Sequence, residues 1–205
     1  MKEKEILSLN EFFVEGKEQE KSHVLLHITE PSTKEEFEKG YFFAVCELNG
    51  AEQKHIFKLQ NIIDEIENGY YETKDSEDKT ALETILEKIN QESYSFVHKD
   101  FLLHCVIGVA KEKELSLSSH GNPIVNLFHK KQNEEYKNID LAKQMIDGND
   151  EKQLFSQMIQ GKINEGDFLF LGTPNIQKYF NDSRLEKIIT TRPARQSAEH
   201  IERVL

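Results

Sequence analysis

The sequence predicts an α+β domain built in layers, and three observations carry that expectation. Apolar runs of strand length bracket two segments of helical periodicity, in the order strands, helical pair, antiparallel meander. Each helical segment has one apolar stripe and a charged back, as a helix lying on a sheet requires. Bulk is sufficient: 205 residues with 13 Phe and 6 Tyr can bury roughly 70% of the unfolded surface without a disulfide or metal. One domain over 1–205 is expected, because no repeat, low-complexity tract or linker interrupts the chain.

Phe12-Phe13-Val14 and Ser22-His23-Val24-Leu25-Leu26-His27-Ile28 have the apolar content of strands. After a loop from Pro31 to Gly40, Tyr41-Phe42-Phe43-Ala44-Val45-Cys46 is almost unbroken, which suits a strand buried on both faces; Asn49-Gly50 then marks a turn. Ile56, Leu59, Ile62, Ile63 and Ile66 form the stripe of a first helix, with Asn68-Gly69 as its expected stop. The charged segment 72–79 reads as a connector, and Leu82, Ile85, Leu86 and Ile89 form the stripe of a second helix. From Phe101 to Ala110 a long apolar strand leads through Lys111-Glu112-Lys113-Glu114 to Leu115-Ser116-Leu117-Ser118. The turn His120-Gly121-Asn122-Pro123 and the strand Ile124–Phe128 follow. Lys130–Asn138 reads as a loop, and Ile139–Gln160 fits helix and strand equally well. Phe168-Leu169-Phe170-Leu171-Gly172 is a strand, and a last helix begins at about Pro193 with Ala194, Ala198, Ile201 and Val204-Leu205 inward.

Charge narrows the function classes. With 26 basic against 37 acidic residues the net charge is -11, which opposes a nucleic-acid backbone or an anionic membrane as partner. Cys46 and Cys105 lie in apolar runs without CxxC spacing, so they read as buried thiols of a reducing compartment. Neither a signal peptide nor an apolar run near the roughly 18 residues of a membrane span is present. A cytoplasmic protein follows, with any tether lying beyond Leu205. His23 and His27, four apart on a strand, share a face but are too far apart to chelate together, at about 3.3 Å per residue. The other histidines show no HxH or HxxxH pattern. All four arginines, Arg184, Arg192, Arg195 and Arg203, fall near the C-terminus. Arg192 and Arg195 make a possible anion patch near a helix start, against the plainer reading of a helix surface paired to Glu199 and Glu202.

Three segments together resemble the PPM-type metal-dependent protein phosphatases. Tyr41-Phe42-Phe43-Ala44-Val45-Cys46-Glu47-Leu48-Asn49-Gly50 is similar to that family's F-F-A-V-x-D-G-x-G strand and turn. Leu102 to Phe128 resembles its long strand, hairpin and G-D-S-like turn, here Gly121-Asn122-Pro123. Glu165-Gly166-Asp167-Phe168-Leu169-Phe170-Leu171-Gly172-Thr173 resembles its G-D-x-L-L-L-x-T-D-G strand. The resemblance implies a layered β-sandwich with helices outside both sheets, and a final strand that would fall beyond Leu205. It also implies dephosphorylation of phosphoserine and phosphothreonine through two Mn²⁺ or Mg²⁺ ions held by aspartates, since two close, hard cations need anionic oxygen to offset their repulsion.

The expected ligands are mostly replaced. Lys21 stands near the first aspartate, Glu47 at the second with Leu48 for the following glycine, and Pro174 in Thr173-Pro174-Asn175 where T-D-G belongs. The expectation is therefore an inactive, pseudophosphatase-like domain with no cofactor. It would act as a protein-interaction or regulatory module, as the excised or N-terminal part of a longer chain. Two alternatives stay open: an active phosphatase with a remodelled Mn²⁺ or Mg²⁺ site using Glu47 or Asp167, and a sensor binding a small or phosphorylated ligand near Arg192 and Arg195.

Overall fold

A computed structural model describes residues 7–13, 22–93, 96, 101–145, 153–155 and 157–205. Its strands are β1 (Ser22–Thr29), β2 (Tyr41–Asn49), β3 (Leu102–Lys111), β4 (Glu114–His120), β5 (Ile124–Lys130), β6 (Tyr136–Asp140), β7 (Ile159–Lys162) and β8 (Phe168–Gly172). Its helices are α1 (Lys34–Phe37), α2 (Gln53–Glu72), α3 (Ala81–Ser93), α4 (Ala142–Met145), α5 (Asp182–Thr190) and α6 (Ala194–Glu202), with a 3₁₀ helix at Pro174–Lys178. One sheet has the order β1-β2-β3-β4-β7, the other β6-β5-β8. Every pairing is antiparallel.

Strand alternation assigns the layers. Phe42, Ala44, Cys46 and Leu48 of β2 pack on one side of the larger sheet with Leu59, Ile63 and Ile66 of α2 and Leu82 and Ile89 of α3. Phe43 faces the opposite way, joining Val106, Leu117 and Val125 between the two sheets. On the outside of the smaller sheet, Ile124, Phe128 and Phe170 pack with Leu185, Ile188 and Ile189 of α5 and Ile201 of α6. The architecture is thus helix pair, sheet, sheet, helix pair, which is the layered α+β sandwich the sequence predicts.

Local departures have local causes. The first helix does not stop at Asn68-Gly69 but runs to Glu72. Gly69 is there for packing: a Cβ would lie 2.5 Å from Ile85 Cδ1 of α3. Beyond it, the Lys39 ammonium donates to the carbonyl of Tyr70 at 2.7 Å and to that of Thr73, which satisfies the helix end. The expected loop 31–40 holds the single turn α1, closed by a capping box between Thr33 and Glu36. Tyr136–Asn138, expected as loop, begins β6, and the ambiguous stretch after it supplies α4 and β7. Phe12 and Phe13 lie outside any strand, and Val14 falls outside the described residues. Two elements between Gly172 and Pro193 were not expected at all. One of them, α5, carries a clear start signal in Asn181, whose side chain accepts the Arg184 N–H at 2.9 Å.

Cys46 and Cys105, expected as separate thiols, are register partners across β2 and β3 with Cα atoms 4.0 Å apart, and are joined as a disulfide. Among the described residues, no helix is long and apolar enough to cross a membrane.

Candidate functional site

The motif residues converge at one end of the sandwich. Glu47 sits on β2 with its side chain on the inter-sheet face, only 1% exposed. Its Oε1 accepts from the Ser22 hydroxyl of β1 at 2.7 Å and also from the Asn175 amide, which reaches across from the 3₁₀ helix after β8. Its Oε2 has no hydrogen-bond partner among the described residues. Leu48, at the glycine position, continues the strand and buries its side chain completely beneath the α2 layer. Pro174 opens the 3₁₀ helix, contributing neither carboxylate nor N–H, and so aims the next residue, Asn175, at Glu47. Lys21 falls outside the described residues.

His104 of β3 is the register partner of Glu47. Its Nδ1 accepts the Asn122 N–H at 3.0 Å, so a neutral ring carries its proton on Nε2. Burial pushes its pKa below the ordinary imidazole value, with the Glu47 charge opposing. The turn requires Gly121, whose φ is +65° and whose absent Cβ would lie 2.3 Å from the Leu103 carbonyl oxygen. His120, on the opposite face of the sheet, has Nδ1 2.7 Å from the Leu154 carbonyl oxygen. Its pKa is also lowered, chiefly by burial. A depressed folded-state value means the unfolded chain takes up the proton first, so stability falls as pH drops through the ordinary value of 6.5. In urea titrations from pH 7.5 down to 5, His120→Gln is expected to reduce this loss; an unchanged slope would assign the effect to other groups.

Asp167 is not part of this cluster. It lies just before β8, six residues or about 20 Å of strand from Thr173. There its Oδ1 accepts from the Lys130 N–H at 2.9 Å and its Oδ2 from the Asn164 N–H at 2.9 Å, with His129 Nδ1 3.0 Å from Oδ1. These bonds close the turn between β7 and β8 and tie it to β5. Arg195 pairs with Glu199 at 3.1 Å on the surface of α6, while Arg192 lies in the connection between α5 and α6. His23 and His27 share a face as expected, but His27 is engaged by Glu67 of α2, with 2.7 Å between Nε2 and Oε2. Sequence reasoning missed Ser22, Asn175 and Glu67. A serine, an asparagine and a helix-back glutamate carry no chemical signal until the fold apposes them.

No protein-family model matches the chain, and no curated protein matches it. Solved structures do. The serine/threonine phosphatase Stp1 from Staphylococcus aureus superposes with a TM-score of 0.60 at 12% identity, covering 95% of this chain and 92% of that one. The Mycobacterium tuberculosis serine/threonine phosphatase PstP/Ppp gives 0.58 at 10%, covering 92% and 86%. PppA, a regulatory component of T6SS in Pseudomonas aeruginosa, gives 0.56 at 15%, covering 89% of each.

The fold is that of the PPM-type phosphatases.

The PPM fold implies a pair of divalent ions, but the residues at this end of the sandwich do not fit them. Two hard cations need several carboxylates, and among the described residues this cluster contributes one. The oxygen of that carboxylate nearest Asn175 faces an amide N–H, a donor that repels a cation. Where a further ligand belongs, Pro174 has no oxygen to offer beyond its backbone carbonyl.

Proposed function

We propose that this chain is a catalytically inactive PPM-fold domain that serves as a protein-interaction or regulatory module. The observation that supports it most strongly is the state of Glu47: the one acidic residue at the motif position is buried and bonded to Ser22 and Asn175. The cleft chemistry has become a structural tie between the two sheets. The three packed cores of the sandwich remain, so what the fold retains is a rigid surface, and the proposed ligand of that surface is another protein.

The test is turnover of p-nitrophenyl phosphate and a phosphothreonine peptide by the full chain in excess Mn²⁺, with Mn²⁺ calorimetry alongside. The expected result is background hydrolysis and no binding isotherm that depends on Glu47. Metal-dependent turnover that disappears in Glu47→Ala would falsify the inactive reading and restore a remodelled phosphatase.

A further inference from the structure

We propose that His27, Asp64 and Glu67 form a binding site for one divalent transition-metal ion of the Zn²⁺ class, on the helix-covered face of the larger sheet. This is a different place from the Glu47 cleft. Register pairs His27 with Ala44 and Glu47 with His104, so alternation puts His27 and Glu47 on opposite faces of the sheet.

The geometry comes from two regular elements. His27 stands on β1, the edge strand, while Asp64 and Glu67 stand three residues apart on α2 and therefore on one face of that helix. A ring nitrogen and one oxygen from each carboxylate all lie within 4.8 Å of one another. Ligands at about 2.0–2.2 Å from a common ion stand at most about 4.4 Å apart, so a small side-chain rotation closes the set. Both elements are held by the packed core beneath α2, and the three side chains are half-buried rather than sealed.

The charge balance points to a cation. Glu67 is already served: His27 meets Oε2, and the Thr29 hydroxyl donates to Oε1. Asp64 has no hydrogen-bond or ion-pair partner among the described residues, yet one of its carboxylate oxygens lies within 4.8 Å of one from Glu67. Like charges three apart on a helix repel, and a single imidazole cannot neutralise both. A divalent ion can. The Thr29 hydroxyl then acts as the outer partner that orients Glu67, leaving Oε2 for the ion. Asp64 also lines a groove between α2 and α3 with Asn61, Asn68, Glu72 and Lys88, and all three candidate ligands are partly exposed, so an ion and its waters can reach them from solvent.

The donor set selects the ion. One imidazole nitrogen with two carboxylate oxygens leaves a position for water, and the imidazole favours Zn²⁺, Co²⁺ or Ni²⁺ over Mg²⁺ or Ca²⁺. Binding requires the Nε2 lone pair, so the proton that now bridges Nε2 to Glu67 gives way and the neutral ring carries its proton on Nδ1. The ion would clamp the edge strand β1 to α2.

The experiment uses the full chain, stripped with chelator and titrated with Zn²⁺ by calorimetry and with Co²⁺ by visible absorption. One equivalent is expected to bind, with Co²⁺ bands of low coordination number and a Zn²⁺-dependent rise in melting temperature. Asp64→Asn and His27→Ala are each expected to weaken binding at least about tenfold. Exposed His23→Ala, on the same strand face, is expected to leave it intact. Asp64→Asn is nearly isosteric and keeps the test decisive should His27→Ala fold poorly. Absence of binding, or binding at wild-type strength in Asp64→Asn, overturns the site. Mn²⁺-dependent phosphatase turnover would instead overturn only the inactive reading of the Glu47 cleft.

Discussion

Truncating Phe128 to alanine is expected to lower the unfolding free energy by about 3–5 kcal/mol, the range for removing a buried phenyl ring. Phe128 is completely buried on the outer face of the smaller sheet, in the cluster with Ile176, Leu185, Ile188 and Ile201. β6 and β8 hold the β5 backbone on both edges through Asn138 and Phe168, which limits how far the layer can collapse into the space. At this chain length each kcal/mol shifts the melting temperature by roughly 2–4 °C, so a depression on the order of 6–20 °C is expected by calorimetry. The effect should reach the candidate site as well. Ile176 belongs to the same cluster and anchors the 3₁₀ helix that carries Asn175, so loosening that layer loosens the contact to Glu47. A loss under about 1 kcal/mol would mean that α5 and α6 are not packed on this sheet.

The second large effect belongs to Glu47, where two substitutions should part company. Glu47→Ala strands the Ser22 hydroxyl and the Asn175 amide without an acceptor and is expected to cost about 1–3 kcal/mol. Glu47→Gln keeps an acceptor at Oε1 and replaces Oε2, which has no partner among the described residues, by an uncharged amide nitrogen. Removing a buried charge of that kind is expected to be neutral or stabilising, by up to about 1 kcal/mol. Urea unfolding of the two variants in chelator separates the readings. If Gln destabilises as much as Ala, the charge itself is required, and the structural account of Glu47 is wrong.

The layered fold was legible because its signals are local and periodic. The stripe Ile56, Leu59, Ile63 and Ile66 has the period of a helix on a surface, and the aromatic run from Phe42 to Cys46 has the length and composition of a strand covered on both sides. Boundaries were less legible where tertiary contact overrides local chemistry. Gly69 looks like a helix stop, yet its missing side chain is what lets Ile85 approach. The site was half legible. Motif position identified Glu47, and composition identified what Pro174 lacks. The groups that bind Glu47 come from 25 and 128 residues away and have no pattern of their own. The Cys46–Cys105 pairing was hidden for the same reason: strand register, not spacing, sets it. His27 with Asp64 and Glu67 is similarly a product of β1 lying against α2.

The separation between Glu47 and Asn175 also bears on the order in which the molecule assembles. Strands β1 to β4 are joined by hairpins and a compact helix pair, whereas the Asn175 contact closes a loop of 128 residues. Closing so long a loop costs entropy before it returns any bonding, which favours its formation late. On a ribosome, β2 emerges and can pair well before Asn175 has been synthesised. Until then the Glu47 carboxylate is left facing water. Stopped-flow chevrons should therefore show Asn175→Ala accelerating unfolding while leaving the folding limb nearly unmoved. The contact between Glu47 and Asn175 would then act as a latch, setting how long the finished sandwich stays shut rather than how quickly it is built.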